Sequence, residues 1–336
     1  MRDKTGVCIA GTHGKTTTTG MVAFALRELA ADPSFVIGGE VPQLGGGSGA
    51  GKSEYLVAEA CEYDRSFLNL FPKCAVINNI EEDHLDYYKD LDEIIGAFRD
   101  FALRLPADGL LIYSANSANT ARILSDVPCR TVSCALEREA DYWADDIRFE
   151  NGKSYYTLHH DGKPETVSVA LDTFGRHNVI NSLVAIALLT ELGFDPAKAA
   201  EAVGNFRGVD RRFDIVYDKD ITIVDDYAHH PTEIRTVLKS SKAYFDGRRM
   251  VVVFQPHQHS RTRFLMRDFA ASFQFADLVI VPDIYFVRDS EQERAMVHAK
   301  DLVRAIIKNG GNAVYIPSFT EIEQFLTNNL GAGDVL

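Results

Sequence analysis

The chain has 336 residues, of which 46% are hydrophobic, and its formal net charge at pH 7 is -13. No run of about 18 apolar residues occurs, so the sequence excludes a membrane-spanning helix and indicates a soluble protein with two or more packed domains. The acidic charge argues against nucleic acid as a partner, because binding to a phosphate backbone is supported by a basic face.

Cysteine usage and the N-terminus bear on the cellular compartment. The five cysteines show no C-x-x-C spacing, and no signal peptide precedes the first predicted strand. We therefore expect unpaired thiols and a cytoplasmic location, where thiols stay reduced.

The first predicted elements are a strand over Val7–Ala10 and a helix over Thr16–Ala30, joined by a glycine-containing loop. Such a loop turns backbone N–H groups toward an anion, and the helix adds the positive end of its dipole. We expect a nucleoside triphosphate here, with Lys15 on its outer phosphates and the Thr16 hydroxyl on Mg²⁺. This predicted phosphate loop comprises Gly11, Thr12, His13, Gly14, Lys15, Thr16 and Thr17.

Apolar runs that alternate with helical patterns continue through the first half of the chain. Strands are predicted near Phe35–Ile37, Tyr55–Ala58 and Cys74–Asn78, and the alternation indicates a parallel sheet with helices on both faces. The glycine-rich stretch between residues 40 and 53 is predicted to be a mobile surface loop. Alternating residues between 141 and 170 predict a hairpin that forms a small antiparallel appendage.

A second doubly wound α/β unit, Rossmann-like in type, is predicted in the last third of the chain. It follows two predicted helices, Asn178–Leu192 and Pro196–Val203, and a polar segment that begins at Gly204. We therefore predict one domain over residues 1–204 and another over residues 205–336. The strands and helices of the second are predicted to alternate as Ile221–Val224, Pro231–Tyr244, Met250–Phe254, Arg261–Phe273, Leu278–Val281, Lys300–Lys308 and Ala313–Ile316.

Polar residues directly after each apolar run are candidate ligands, because ligands of such sheets gather at the carboxyl ends of the strands. Glu59 follows Tyr55–Ala58 and could hold Mg²⁺ on the nucleotide. His84 comes shortly after Cys74–Asn78 and is either a ligand of a second divalent ion or a packed polar group.

Further candidates lie near predicted helix starts. Arg212, near the domain boundary, reaches either a transferring phosphoryl group or a surface carboxylate. One group is either a set of nucleobase ligands or a set of helix caps: His177, Asn178 and Asn181. A second group lies within a single predicted turn: Asp225, Asp226, His229 and His230. Acids and histidines so close together are typical of a functional site.

Seven ordered motifs resemble those of the Mur ligase family. The resemblance as a whole extends from about Val7 to beyond Arg261 and covers two of the family's three domains, the central ATPase domain and the C-terminal amino-acid domain. The N-terminal UDP-binding domain has no counterpart, so we expect this domain to be absent and the chain to be truncated. The motifs are Gly11-Thr-His-Gly-Lys-Thr-Thr-Thr, Ala58-Glu-Ala-Cys-Glu, Asn79-Ile-Glu-Glu-Asp-His-Leu-Asp, Gly175-Arg-His-Asn-Val-Ile-Asn, Arg211-Arg-Phe, Asp225-Asp-Tyr-Ala-His-His-Pro-Thr-Glu and Phe254-Gln-Pro-His.

The resemblance implies an ATP-dependent ligase of peptidoglycan precursor synthesis, and His13 favours the member that joins L-alanine to UDP-N-acetylmuramate. In that family the substrate carboxylate attacks the γ-phosphoryl group of ATP, and the amine of the amino acid then displaces phosphate from the acyl phosphate. A carboxylate is already ionised at neutral pH, so this chemistry needs positioning and charge neutralisation rather than a general base.

The resemblance also implies roles for the candidate residues. Lys15 would contact the phosphates of ATP, Arg212 would reach the γ-phosphate, and Asp225 or Asp226 would lie on the nucleotide. Mg²⁺ ions would be held by Thr16, Glu59 and His84. Adenine would be surrounded by His177, Asn178 and Asn181. The amino-acid pocket would be lined by His229, His230 and Arg261.

Gln258 departs from the family pattern, because relatives usually have an arginine there, so one positive charge expected near the amino-acid carboxylate is absent. Three alternative functions stay open. They are a recycling ligase that attaches a murein tripeptide to UDP-N-acetylmuramate, a non-catalytic ATP-binding module and a generic P-loop phosphotransferase.

Overall fold

The computed structural model of the protein describes residue 1, residues 3–137 and residues 140–336. The chain divides into two compact units. The first comprises Met1–Asp83 and Tyr87–Asp210, and the second comprises His84–Asp86 and Arg211–Leu336. The domain boundary predicted after residue 204 stays a prediction. No helix in the described ranges is long and apolar enough to cross a membrane.

A single sheet runs through the first unit. Its strands are β1 (Thr5–Ala10), β2 (Ser34–Val36), β3 (Ser48–Gly49), β4 (Tyr55–Glu59), β5 (Cys74–Ile77), β6 (Leu110–Ser114), β7 (Arg130–Leu136), β8 (Tyr142–Glu150), β9 (Lys153–His160) and β10 (Val167–Leu171). Among the described residues their order is β10-β9-β8-β7-β6-β5-β1-β4-β2-β3. Neighbours from β8 to β2 are parallel, whereas β9, β10 and β3 pair antiparallel. The predicted hairpin is therefore the antiparallel end of the same sheet.

Helices cover this sheet and place their apolar faces against it. They are α1 (Lys15–Glu28), α2 (Leu91–Ala102), α3 (Arg176–Glu191) and α4 (Pro196–Gly204). Buried side chains of α1, α3 and α4 share one core with Val7 and Ile9 of β1. The alternate residues Cys8 and Ala10 are also fully buried, so both faces of the strand are covered, as in other parallel sheets.

The glycine-rich stretch between residues 40 and 53 differs from the predicted mobile loop. It contains a 3₁₀ turn over Pro42–Leu44 and strand β3, whose Gly49 pairs with Phe35 of β2. A Cβ atom on Gly51 would lie 2.1 Å from the backbone oxygen of Asp32. Glycine here permits close packing of two backbone segments rather than flexibility.

The second unit alternates strands and helices. Its strands are β11 (Asp214–Asp218), β12 (Thr222–Asp225), β13 (Val251–Val253), β14 (Leu278–Val281) and β15 (Ala313–Tyr315). Its helices are α5 (Pro231–Tyr244), α6 (His259–Phe264), α7 (Met266–Ser272), α8 (Glu291–Met296), α9 (Ala299–Lys308) and α10 (Phe319–Asn329). β11 and β12 are antiparallel, whereas β13, β14 and β15 are parallel. The helix predicted over Arg261–Phe273 is instead two helices, α6 and α7, that meet at Leu265.

Both faces of the parallel strands in this unit carry helices. Val279 and Val281 belong to a core that includes side chains of α5, α7 and α9, whereas Ile280 packs with Ile322 of α10. The alternation follows from the two-residue period of a strand. Val335 pairs in parallel with both Thr222 and Met250, so the end of the chain joins β12 to β13. The predicted α/β class with doubly wound units is confirmed.

Candidate functional site

The phosphate loop connects the carboxyl end of β1 to the first turn of α1. Gly14 has a positive φ of 79°, and a Cβ atom there would lie 2.6 Å from the side-chain oxygen of Asn181. Only glycine combines this backbone conformation with so close a neighbour. The loop therefore turns tightly enough to direct backbone N–H groups at the start of α1 toward a ligand.

The segment after β5 holds the phosphate loop in place. The backbone nitrogen of His13 donates to Asn79 Oδ1 at 2.7 Å, and that of Thr12 donates to the backbone oxygen of Asn79 at 3.0 Å. Thr12 Oγ1 accepts a hydrogen bond from the backbone nitrogen of Glu81 at 2.9 Å. His13 Nε2 lies 3.4 Å from the carboxylate of Glu81. The motif from Asn79 to Glu81 thus fixes the loop conformation.

The ammonium group of Lys15 lies within this loop and contacts a buried carboxylate. It donates to the backbone oxygens of Gly11 and Thr12 at 2.5 and 3.0 Å, and to Glu62 Oε1 at 3.0 Å. Burial alone would lower the pKa of Lys15, but attraction and hydrogen bonding by Glu62 raise it above its ordinary value. Lys15 therefore carries a full positive charge at the position where phosphates would bind.

Thr16 and Glu59 form the pair of oxygen ligands that the sequence predicts. Thr16 Oγ1 donates to Glu59 Oε1 at 3.1 Å, and the backbone nitrogen of Gly38 donates to Glu59 Oε2 at 2.7 Å. A hydroxyl and a carboxylate at one point are hard oxygen donors, which suit Mg²⁺. Thr17 follows in the first turn of α1 and is half-buried.

The residues predicted to surround a nucleobase lie in the first turns of α3. Asn178 and Asn181 are 8% and 6% exposed. Asn178 Nδ2 donates to the backbone oxygen of Phe174 at 2.9 Å, and Asn181 packs against Gly14 of the phosphate loop. His177 is half-buried. The structure brings this helix start beside the phosphate loop, and the adenine assignment stays a prediction.

In the second unit, Glu233 links several predicted residues after β12. Its Oε2 accepts hydrogen bonds from the backbone nitrogens of His229 and His230 at 3.1 and 3.3 Å. The same oxygen lies 3.4 Å from His229 Nδ1, and Oε1 lies 4.0 Å from the guanidinium of Arg212. The guanidinium of Arg212 also lies 5.3 Å from the ring centre of Tyr227.

The adjacent acids Asp225 and Asp226 have different surroundings. Asp225 is partly exposed and forms an ion pair with Arg211 at 3.3 Å. Asp226 accepts hydrogen bonds from the backbone nitrogens of Phe213 and Ala228 at 2.8 and 2.7 Å. Burial raises the pKa of Asp226 to about 6, although these two hydrogen bonds oppose the rise. Asp226 therefore holds the loop, and Asp225 faces solvent.

Arg261 lies on α6, whose first residues are held by a carboxylate from the segment after β14. Asp289 accepts hydrogen bonds from the backbone nitrogens of His259 and Ser260 and from the Ser260 hydroxyl, at 2.5, 3.2 and 2.5 Å. Gln258, directly before α6, is 2% exposed, and its side-chain nitrogen has no hydrogen-bond partner within the described ranges. Asp289 thus fixes the helix that carries Arg261.

His84 is grouped with the second unit, whereas Thr16 and Glu59 lie in the first. Its φ of 55° is positive, and the neighbouring Leu85 packs against the core of the second unit. The role of His84 as a metal ligand stays a prediction.

Sequence reasoning gave no role to three residues that organise the site: Glu62, Glu233 and Asp289. Glu233 could have been found, because a glutamate three residues after a helix-start residue is typical of a capping box. Glu62 and Asp289 come from segments distant in sequence from Lys15 and Ser260, and their contacts depend on the fold. Glu62 is the last residue of the Ala58-Glu-Ala-Cys-Glu motif, but the motif does not indicate its contact with Lys15, and no local pattern indicates Asp289.

Two family models match the chain: the Mur ligase middle domain over residues 9–189, and the Mur ligase glutamate ligase domain over residues 211–336. The UDP-N-acetylmuramate–L-alanine ligase of Caldanaerobacter subterraneus subsp. tengcongensis is 41% identical over 335 residues, which are 99% of this chain and 72% of that protein.

Solved structures of ligases with related names are also similar to this chain. The UDP-N-acetylmuramate-alanine ligase of Thermotoga maritima is 29% identical, with a TM-score of 0.80 over 99% of this chain and 71% of that chain. A murein peptide ligase from Psychrobacter arcticus is 27% identical, with a TM-score of 0.75 over 99% of this chain and 74% of that chain. The two family models and the 41% identity together show that the chain belongs to the Mur ligase family.

Proposed function

We propose that the protein joins L-alanine to UDP-N-acetylmuramate with conversion of ATP to ADP and phosphate, a step of peptidoglycan precursor synthesis. The observation that carries the proposal is the phosphate loop with Lys15 and the Thr16–Glu59 pair. The curated relative with 41% identity over nearly the whole chain bears the name of this activity, which supports the choice of both substrates.

The nucleotide half of the reaction is assigned to the first unit. Lys15 would exchange one of its present acceptors for a phosphate oxygen of ATP. Thr16 and Glu59 would hold Mg²⁺, with His84 as a proposed ligand of a second ion. The metal supplies positive charge that neutralises the phosphates when it is bound. The adenine would be bound by His177, Asn178 and Asn181.

The amide-forming half is assigned to residues of the second unit. The lactyl carboxylate of UDP-N-acetylmuramate attacks the γ-phosphoryl group of ATP. An acyl–phosphate bond forms, and the bond between that phosphoryl group and ADP breaks. Arg212 would stabilise the charge that spreads over the transferring group. The amine nitrogen of L-alanine then attacks the acyl carbon, so that the C–N bond forms, the C–O bond to phosphate breaks and the nitrogen loses a proton to solvent. The amino acid would be bound by His229, His230 and Arg261.

A murein tripeptide ligase is the second candidate, because the Psychrobacter arcticus murein peptide ligase has a TM-score of 0.75 with this chain. Both candidates use the phosphate loop in the same way and differ in the size of the amine substrate. We favour L-alanine because the curated relative at 41% identity is named for that amino acid.

The test is phosphate release from Mg·ATP by the full-length protein that contains this chain. UDP-N-acetylmuramate is supplied with single amino acids or with the murein tripeptide. Release that requires both UDP-N-acetylmuramate and L-alanine, and that is lost in Lys15→Ala but kept in the exposed-site control Lys52→Ala, supports the proposal. Phosphate release that occurs with the tripeptide but with no single amino acid supports the second candidate. Phosphate release without any amine substrate contradicts both candidates.

A further inference from the structure

We propose that Glu62 makes the phosphate loop selective for metal-bound over metal-free nucleotide, acting as a positioning residue through Lys15. The inference rests on the proposed ATP site and adds a role for a carboxylate to which the proposed reaction assigns none. It follows from three features of the first unit: the number of acceptors around Lys15, the burial of Glu62 and the balance of charge at the loop.

The ammonium of Lys15 has no donor left for a ligand. An ammonium has three N–H donors. Those of Lys15 are directed at the backbone oxygens of Gly11 and Thr12 and at the carboxylate of Glu62, at 2.5, 3.0 and 3.0 Å. The second carboxylate oxygen of Glu62 also lies 2.9 Å from the ammonium. A phosphate oxygen can bind Lys15 only by displacing or sharing one of these acceptors.

Glu62 cannot move away into water when a phosphate arrives. Its side chain is only 3% exposed, and that of Lys15 is 14% exposed. Its backbone oxygen accepts a hydrogen bond from the hydroxyl of Tyr88 at 2.5 Å, and Tyr88 is 1% exposed. The segment that carries Glu62 is therefore anchored, so the carboxylate stays beside the ammonium in the bound state.

The balance of charge around phosphates bound at the loop depends on whether a divalent cation is present. A metal-free nucleotide would bring its phosphates to an ammonium that a buried carboxylate already neutralises. The repulsion between carboxylate and phosphate is weakly screened in such a shielded place. A divalent cation beside Thr16 and Glu59 adds two positive charges next to the same phosphates and offsets this repulsion. Glu62 thus disfavours the metal-free nucleotide selectively.

The test compares ADP binding by calorimetry in excess Mg²⁺ and in a chelator, with the full-length protein that contains this chain. In Glu62→Gln, metal-free ADP is expected to bind about tenfold more tightly, because the like charge is removed. Binding of Mg·ADP is expected to change by less than about twofold. The preference for the metal-bound form therefore falls about tenfold. Glu62→Ala removes the same charge and is expected to lower the preference in the same direction.

Two controls separate the charge of Glu62 from other effects. Glu54→Gln removes the same charge at an exposed site of the same unit and is expected to leave the preference unchanged. Glu62→Asp keeps the charge and is expected to keep the preference. An unchanged preference in both Glu62→Gln and Glu62→Ala, or an equal fall in Glu54→Gln or Glu62→Asp, overturns the inference. Wild-type protein that binds ADP in neither buffer instead contradicts the proposed ATP site.

Discussion

The side chain of His230 accepts a hydrogen bond through Nδ1 from the backbone nitrogen of Thr232 at 3.3 Å. His230 is therefore the N-cap of α5, and Glu233 completes a capping box by accepting from the His230 backbone nitrogen. The neighbouring His229 has a side chain that is 28% exposed and does not cap the helix. Both histidines are proposed to bind the amino acid, and because Nδ1 of His230 already serves as the helix cap, we expect His229 to make the larger contribution.

His230→Ala is expected to lower the free energy of unfolding by about 1 kcal/mol, because the first turn of α5 loses its cap. His230→Asn supplies another capping side chain and is expected to recover most of that loss. Urea unfolding of the two variants and of His229→Ala measures this. Equal destabilisation by His230→Ala and His230→Asn would show that the cap is not what His230 contributes.

Asp226→Asn is expected to change the pH dependence of stability. The pKa of Asp226 rises from 3.8 to about 6 because burial disfavours its charge. Between these values the folded state binds more protons than the unfolded state, so the free energy of unfolding falls as pH rises, by at most ~3 kcal/mol. The asparagine side chain does not titrate, so the variant does not lose this stability as pH rises. Its stability relative to wild type should therefore improve as pH rises through this window.

The measurement for Asp226 is urea unfolding of wild type and variant at about pH 4 and about pH 7. Asp225→Asn is the matched control, because Asp225 is adjacent and partly exposed. A stability difference between Asp226→Asn and wild type that is the same at both pH values contradicts the predicted titration.

Lys15→Ala is expected to destabilise the first unit by about 3 kcal/mol, because it leaves the buried carboxylate of Glu62 without its counter-charge. Adding Glu62→Gln to this variant should recover part of the loss, since an amide is less costly to bury than a carboxylate. Urea unfolding of wild type, both single variants and the double variant measures the coupling. Additive effects would mean that the two side chains do not interact.

Gly14→Ala is expected to lower stability by more than about 2 kcal/mol and to abolish nucleotide binding. The backbone strain of a positive φ accounts for about 1 to 2 kcal/mol, and the overlap with Asn181 adds to it. The matched control is Gly162→Ala, which has a φ of 69° and open space around its Cβ position. Thermal unfolding and ADP titration compare the two. Equal effects on both measurements would rule out a packing role for Gly14.

Asp289→Asn is expected to raise the KM for L-alanine several-fold while the KM for ATP stays near its wild-type value. Burial alone would raise the pKa of Asp289, but hydrogen bonds from Ser260 and His259 hold it below its ordinary value, so the carboxylate is charged. An amide cannot accept from all of these donors, and the helix that carries Arg261 loses its anchor. Initial-rate kinetics test this, and a change confined to the KM for ATP contradicts it.

Local patterns predicted the elements whose ends carry strong signals. The strand–loop–helix around Gly14 and the helix Pro231–Tyr244 follow from glycine, proline and apolar periodicity, and the structure has both. The prediction omitted α2 and α10, although Asp90 and Ser318 cap them and each precedes a glutamate at the third helical position. These two helices could have been predicted from their caps.

Other features depend on tertiary contacts that no local pattern contains. Asp225 and Asp226 are neighbours of the same residue type that differ in their surroundings, because Asp226 accepts from the backbone nitrogens of Phe213 and Ala228 whereas Asp225 pairs with Arg211. The contact between Lys15 and Glu62 requires that β1 and β4 pair in parallel, so that the segments after both strands meet at one edge of the sheet. The roles of the individual site residues stay predictions until the variants are measured.

The pairing of Val335 with Thr222 and Met250 bears on how the second unit folds. Among the residues that the structure describes, β12 and β13 form no backbone ladder with one another, and the segment that joins them, residues 334–336, lies far along the chain from both. Closing so long a loop costs entropy before any pairing energy is gained, which slows folding. During synthesis, β11 and β12 therefore cannot be joined to the parallel strands until residues 334–336 have left the ribosome.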